Sequence, residues 1–442
     1  MLKVGIAKIE ITPPLGSQLT GYGDAPRPAE EIHDKLYATA IVFAQDNLKA
    51  CHVTLDLCFV DNEDIETMQN ISSQISGIPA HHINIGVIHT HSAPQTGTVD
   101  GWGNKDEKYV ETLIPKVAQA VKDAADRLVP VKVGIATTET QVGINRRSVQ
   151  HYNEYGFRVS PYDDNPYDST MTVVRFENTS ETIATLIHCS AHATAMGANR
   201  IISRDWPGIM IDRIESQTKA PAIFINGSYG DTGPRTNMLC EPGMFSAGSG
   251  DGIHSVYEVG YRAASDALWA QQSIKSFYED IKLNVLTEEI KLLTAPLPPI
   301  EHAKEQLKRW EHRKDESGAG KCNYRYWKRV IEAHNKPPIE YYPFRQTIIT
   351  LGPIALVPLP GEPFTSINLR IRKHSPFQYT LICGGTNGTY SYLPDREARH
   401  RGGYETWVSR GLLTFLLADN IDDVLVEKNI NLLNKIYKKD NS

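Results

Sequence analysis

Cysteine is sparse and carries no metal-binding spacing. Cys51, Cys58, Cys189, Cys240, Cys322 and Cys383 are the only six, and none forms a Cys-x-x-Cys pair. That argues against a cysteine-based zinc site and fits a reducing compartment. Positive charge is not in excess either. The net charge is −6, so nucleic acid is not an expected partner. No apolar run reaches transmembrane length. Met1-Leu2-Lys3-Val4-Gly5 enters a strand-like pattern directly, without the basic and apolar regions of a secretory signal. A cytoplasmic location is the expectation. No repeat of solenoid period is present.

What remains is an ordinary globular composition, 40% hydrophobic and 22% charged, over 442 residues. That length suits one large α/β domain or two interlocked ones, and a single domain over 1–442 is expected. Residues 4–12 alternate apolar and polar until Pro13-Pro14 stops the strand. Residues 16–28 are a loop rich in Gly and Pro with Tyr22 at its tip, long enough to suggest function. Residues 36–43 and 50–59 read as paired strands, with Asp56 inside the second. A carboxylate there needs a partner, in a site or in a structural hydrogen bond. Residues 61–76 read as a helix, and 104–128 as the clearest one, with Pro115 as a possible kink. Residues 170–176 and 182–188 predict a hairpin, and further strands are expected at 131–136, 220–225, 281–293 and 346–357. Residues 296–338 form a charged stretch that reads as a helical hairpin broken at Ser317-Gly318-Ala319-Gly320, a solvated connector between two halves of the fold. A mixed β-sheet core flanked by helices is therefore the expected architecture.

Chemistry concentrates in Ile88-His89-Thr90-His91-Ser92-Ala93-Pro94, which follows the β-rich Ile83-Asn84-Ile85-Gly86-Val87. On extended backbone, residues two apart share a face, so His89 and His91 are expected to project together. Two such imidazoles begin a zinc site or an acid/base pair, or are two unrelated polar histidines on a half-exposed strand. Other candidates lie far off in sequence. Asn145-Arg146-Arg147 can bind an anion or a carbonyl oxygen, or face solvent. His192 follows a strand, and Asp205 stands at a helix start, as a cap or as an orienter of a ligand histidine. Glu362 lies near a helix N-terminus, where a carboxylate is favoured.

Taken together and in order, these stretches resemble the neutral (non-lysosomal) ceramidase family of zinc amidases. The resemblance runs from Val4-Gly5-Ile6-Ala7-Lys8-Ile9-Glu10-Ile11-Thr12-Pro13 to Gly403-Tyr404-Glu405. It implies a ceramidase-like catalytic fold with one zinc ion held by His89, His192, Glu362 and Tyr392, the tyrosine lying five residues after Asn387. It implies that His91 works beside the metal, that Tyr404 and Arg146 stabilise the scissile group, and that Asp205 supports the centre. The segment Gly230-Asp231-Thr232-Gly233-Pro234-Arg235 departs from the family's Gly-Asp-Val-Ser-Pro-Asn by carrying Gly233 in place of serine. This is expected to change the pocket floor, and with it the substrate. The chain is also expected to lack the family's C-terminal β-sandwich domain.

Two imidazoles, a carboxylate and a phenol make an N/O ligand set suited to zinc. The expectation is a zinc-dependent hydrolase whose activated water attacks an amide C–N bond of a small or lipid-like substrate. Alternatives are a metal-dependent esterase or lactonase, and a non-catalytic binding protein that keeps the metal pocket. The oligomeric state is not legible.

Overall fold

The structure is a computed structural model that describes residues 1–23, 26–99, 104–147, 166–236, 252–315, 319–413 and 415–440. Cys240 and the expected break at Ser317-Gly318 lie outside the described residues.

The first half is a layered sandwich. β1 (Lys3–Glu10), β2 (Tyr37–Gln45), β3 (Leu48–Leu55) and β4 (Ile83–Val87) form one sheet in the order β4-β3-β2-β1, with Val129–Pro130 as a short edge. Alternate residues go to opposite faces. Ala38, Ala40 and Val42 of β2 pack toward α1 (Asn62–Ser76) and α2 (Glu107–Asp126), while Ile41 and Phe43 point into the next layer. α2 starts where the Asp106 side chain accepts from the Tyr109 amide at 3.0 Å. Pro115 sits inside it without ending it.

The second sheet contains β5 (Lys132–Glu139), β7 (Thr170–Glu177), β8 (Thr182–Cys189) and β9 (Ala222–Asn226), after the short β6 (Gly143–Asn145). Its inner residues, such as Phe176 and Leu186, meet Phe43 and Val4 of the first sheet. Its outer residues, such as Ile187, lie under α3 (Asp205–Thr218) and α4 (Ile253–Ser273). β10 (Thr232–Pro234) pairs with β6. The layer order is therefore helix, sheet, sheet, helix.

The second half adds a four-stranded sheet, β11 (Leu283–Leu293), β12 (Tyr341–Leu351), β13 (Ile354–Pro358) and β15 (Tyr379–Cys383). α5 (Ile300–Trp310) and α6 (Ala319–Ala333) form the expected helical hairpin. It leaves from β11 and returns to β12, which are paired strands, so it is an excursion from one ladder. After β14 (Glu362–Pro363) come α7 (Thr365–His374), β16 (Tyr392–Leu393), α8 (Arg396–Arg401), α9 (Tyr404–Leu412) and α10 (Ile421–Asp440). α6 packs on α9. The expected α/β class and helix-flanked mixed core are present, with the strands divided among several sheets. Among the described residues no helix is long and apolar enough to cross a membrane.

Asp56 belongs to the scaffold. Its Oδ2 accepts from the Tyr37 amide at 2.8 Å, and burial pushes its pKa up to about 7 against the opposing pull of Arg204 and Lys8. A carboxyl whose folded pKa is raised contributes stability below its unfolded value of 3.8, and this is lost as pH rises through about 7. Asp56→Asn should therefore raise the melting temperature by several degrees at pH 8.5 and by little at pH 4. A pH-independent change would show that the charge is not what costs stability.

Candidate metal centre

β4 ends at Val87, so the two histidines do not share a strand face as expected. His89 has φ +66°, a left-handed conformation that costs an L-residue about 1–2 kcal/mol. This turn, rather than strand alternation, brings the imidazoles together, with ring centroids 4.9 Å apart and Nε2 atoms 3.2 Å apart. The amides of Ile88 and His89 donate to Leu55 and Leu57 at 3.0 and 2.9 Å, which holds the turn against β3.

His192 lies in the loop after β8 and is fully buried. Its amide donates to the Thr232 carbonyl at 2.9 Å, and Trp206 Nε1 donates to its carbonyl at 2.9 Å. Glu362 arrives from β14, which pairs in parallel with β16 so that Glu362 stands beside Tyr392. Gly361 makes the approach possible. Its φ is +97°, and a Cβ there would lie 2.3 Å from the Ser391 carbonyl oxygen.

The ligand geometry follows from tautomers. His89 Nδ1 is 2.8 Å from the Cys58 carbonyl, and His192 Nδ1 is 2.6 Å from that of Tyr229. Carbonyls only accept, so both Nδ1 atoms carry protons and both Nε2 atoms face inward. Glu362 Oε2 lies 3.4 Å from His89 Nε2 and 3.1 Å from His192 Nε2. His192 Nε2 and Glu362 Oε2 are buried without a hydrogen-bond partner. Two lone pairs facing a buried carboxylate oxygen could hold a cation between them, and the three donor atoms lie within 4.8 Å of one another. Without a cation the cluster shares protons. Burial opposes charge on His89, yet Cys58 and Glu362 hold its pKa well above the ordinary value. Burial and then Arg146 push His192 down to about 4. Burial raises Glu362 while His89 and His192 hold it well below the usual carboxylate range, and the net effect is downward. Burial, and next His89, holds His91 well below the ordinary histidine value, so it is neutral.

The phenols complete the wall. Tyr392 stacks on His192 with centroids 6.3 Å apart, and its hydroxyl accepts from Arg146 Nη2 at 3.0 Å. Burial and then Glu362 hold its pKa well above the usual tyrosine value, against Arg146. Tyr404, the first residue of α9, is hydrogen-bonded to Tyr392, with ring centroids 6.0 Å apart. Arg146 Nε donates to Glu405 at 3.0 Å and Nη2 to the Gly230 carbonyl at 2.7 Å, so this guanidinium positions Tyr392. A cavity of about 820 Å³, including its open mouth, is lined by His89, His91, Glu362 and Tyr392, with Phe59, Val408 and Leu412 on its apolar side. Gly233 lies on β10 opposite Ile144 and does not line this cavity, so the expected change of pocket floor is not seen there.

Asp205 makes no hydrogen bond to any of the three histidines. Its carboxylate accepts from the amides of Ala195, Trp206 and Met196 at 3.0, 2.7 and 2.8 Å, which fixes the loop after His192. Burial pushes its pKa up to about 6 against these three bonds. Asp205→Ala would orphan three buried N–H groups at about 1–3 kcal/mol each. Urea unfolding should register a loss of at least about 3 kcal/mol, and Asp205→Asn should lose less. Equal losses would remove the argument from acceptor capacity.

Glu405 is the principal residue that sequence reasoning passed over as a site member. It is fully buried and bridges Arg146 and Arg147. The paired arginines were read as binding an anion or a carbonyl oxygen, or as facing solvent; the acid they meet lies 259 residues on from Arg146 and no local spacing points to it. Tyr229, stacked on His89 with centroids 4.7 Å apart, was also missed.

A model of the neutral/alkaline non-lysosomal ceramidase N-terminal region matches residues 2–252, more than half of the chain. The chain belongs to the neutral/alkaline non-lysosomal ceramidase family. This membership supports a hydrolase acting on an amide bond. The match contains His89, His91, Arg146, His192 and Asp205, whereas Glu362, Tyr392 and Tyr404 lie beyond it and join them only through the fold. No curated protein sequence matches. Among solved structures, the neutral ceramidase from Pseudomonas aeruginosa is similar at a TM-score of 0.76 and 17% identity, over 99% of this chain and 75% of that one. A ceramidase complexed with C2 is similar at 0.74 and 16%, over the same shares. These likenesses establish a ceramidase-like catalytic fold for this family member.

Proposed function

We propose that this ceramidase-family chain is a zinc-dependent hydrolase of an amide C–N bond in a small or lipid-like substrate. The observation that carries the reading is the convergence of His89 Nε2, His192 Nε2 and Glu362 Oε2, two of them buried and orphaned. With the Tyr392 phenol they would hold one ion. Zinc held there would make hydroxide available at neutral pH, since a bound zinc ion lowers the pKa of water to about 7.

The remaining work falls to this chain's own groups. The cavity wall of Phe59, Val408 and Leu412 excludes water from an apolar arm of the substrate. His91 is neutral, lines the cavity, and is placed to take or return a proton at Nε2. Tyr404, which burial keeps protonated against the pull of Arg146, donates toward the negative charge that develops on the carbonyl oxygen. Arg146 holds the Tyr392 hydroxyl in place.

The test is hydrolysis of a panel of N-acyl amides by wild type and Tyr404→Phe, with metal content by elemental analysis. The expectation is about one zinc per chain in both, with turnover in the variant slower by roughly one to three orders of magnitude. Wild type without zinc, or without release of amine from any amide, would sink the reading. Unchanged turnover in Tyr404→Phe would sink the role of that phenol.

A further inference from the structure

Tyr229 stands in the loop after β9, Asn226-Gly227-Ser228-Tyr229-Gly230, and this loop is pinned at both ends. The Gly227 amide donates to the Cys189 carbonyl at 2.9 Å, and the Gly230 amide to that of Pro363 at 2.9 Å. The Tyr229 carbonyl accepts from His192 Nδ1 at 2.6 Å, while the ring stacks on His89. Backbone and ring thus serve the two inward imidazoles. The hydroxyl serves neither.

Two glycines after β15 set the place of that hydroxyl. A Cβ on Gly384 would lie 2.8 Å from Tyr229 Cε1, and one on Gly385 would lie 2.5 Å from the hydroxyl and 3.0 Å from Val87. Side chains there would displace the phenol, so their absence makes its room. Tyr229, Gly385 and Val87 all line the cavity. The other phenols and hydroxyls of that lining are engaged. Thr98 donates to Asp61 at 3.0 Å and Thr389 to the Val60 carbonyl at 2.6 Å. Tyr390 accepts from the Leu417 amide at 2.9 Å, Tyr392 from Arg146, and Ser391 pairs with Ser409 at 3.2 Å. The Tyr229 hydroxyl has no hydrogen-bond partner among the described residues, and it is not one of the unpartnered atoms sealed from water. A phenol is protonated at neutral pH. It is therefore a donor of fixed position, open to the cavity and matched by nothing in the chain, and a single such group in an apolar wall selects what binds there.

His91, placed to return a proton to the leaving amine, marks the amine side. The Tyr229 ring meets His89 and His192 and makes no ring contact with His91, so the acyl arm is the one that reaches it. We propose that Tyr229 is a specificity-determining residue, whose hydroxyl donates a hydrogen bond to an acceptor oxygen on the acyl arm and so selects oxygen-bearing acyl groups over plain alkyl ones of the same length. This rests on the amide-hydrolase reading above.

The probes are N-octylmethoxyacetamide and N-octylbutanamide, which differ by an ether oxygen in place of a methylene. Release of octylamine is measured on the zinc-loaded enzyme, and binding by calorimetry on chelator-dialysed protein, where no turnover intervenes. Wild type should take the ether with a KM and a dissociation constant each about five- to tenfold lower, and with kcat within about twofold, because the bond is present before and during reaction. Tyr229→Phe keeps the ring on His89 and the carbonyl on His192. Its zinc content should stay at about one per chain, and its preference for the ether should vanish. A wild type without the preference overturns the proposal with no variant needed, and so does a preference that survives in Tyr229→Phe. An equal loss on both probes in Tyr229→Phe also overturns it, since the hydroxyl would then act on the imidazoles and not on the acyl arm. A wild type that binds the probes and cleaves neither sinks the hydrolase reading, and the calorimetric ratio still decides on Tyr229. A wild type that neither binds nor cleaves overturns both.

Discussion

His89→Ala and Glu362→Ala should each reduce bound zinc from about one ion per chain to almost none after dialysis against a weak chelator. Removing an outer partner of a metal ligand typically weakens affinity by roughly 10–100-fold, and removing a ligand should exceed that. The geometry explains why both variants fail alike. Glu362 Oε2 lies within 3.4 Å of both inward Nε2 atoms, so its loss leaves two imidazoles with no anionic charge between them. Loss of His89 leaves one imidazole and the carboxylate. Amide hydrolysis should fall to background in both, and the double variant should be no worse than either single one, since the ligands act as a unit. A second set, Cys58, His89 and His91, also brings donor atoms within 4.8 Å. It must draw on the same His89 Nε2, because Nδ1 is occupied by the Cys58 carbonyl at 2.8 Å. Cys58→Ser therefore decides between the two sets. Zinc retained in Cys58→Ser and lost in Glu362→Ala supports the site described here. The reverse pattern would move the ion to the thiol side, and full zinc in every variant would remove both sets.

Much of the scaffold was legible because its signals are local. Alternation in residues 4–12 and 170–188 reflects strands with a different layer on each face, and the 3.6-residue period after Asn104 reflects one packed face of α2. Pro115 shows the limit of that reading. Its ring costs one backbone bond, yet the buried face of Leu113, Val117 and Val121 keeps the helix whole. The fold brings together residues that the sequence singled out, since His89, His192 and Glu362 place donor atoms within 4.8 Å of one another and Tyr392 lines the same cavity as His89 and Glu362. The manner of their meeting was not legible. His89 turns inward through a positive φ that its sequence does not announce. Glu362 and Tyr392 become neighbours through a two-residue parallel ladder too short to leave a periodic trace. Asp205 has the position of an orienting carboxylate, but its three backbone bonds make it the staple of a loop. Such roles depend on which amide lies within 3 Å, and no spacing rule encodes that.

A large loss of stability is also expected from Glu405. Its carboxylate is 0% exposed and joins Arg146 Nε at 3.0 Å to Arg147 Nη1, whose own side chain is 5% exposed. Three charges are thus buried together, two positive and one negative. Tyr392, Gly230 and Gly402 supply neutral acceptors at 3.0, 2.7 and 2.6 Å. Glu405→Gln keeps the shape and removes the negative charge that bridges the two guanidiniums. Breaking a buried pair costs about 3–5 kcal/mol, because the partner's charge stays buried without compensation, and here there are two partners. Urea unfolding should show a loss of at least about 3 kcal/mol, persisting at high salt because the group is out of reach of counterions. An exposed bridge would give about 1 kcal/mol or less and fade with salt, so that outcome would refute the buried network. Glu405→Gln combined with Arg147→Met should recover part of the loss, since one of the two guanidiniums that Glu405 neutralises is removed. Glu405→Gln combined with Arg146→Met should recover stability and still impair turnover, because Tyr392 then loses the donor that holds its hydroxyl. That split between restored folding and unrestored chemistry would mark Arg146 as the point where the buried network meets the cavity wall.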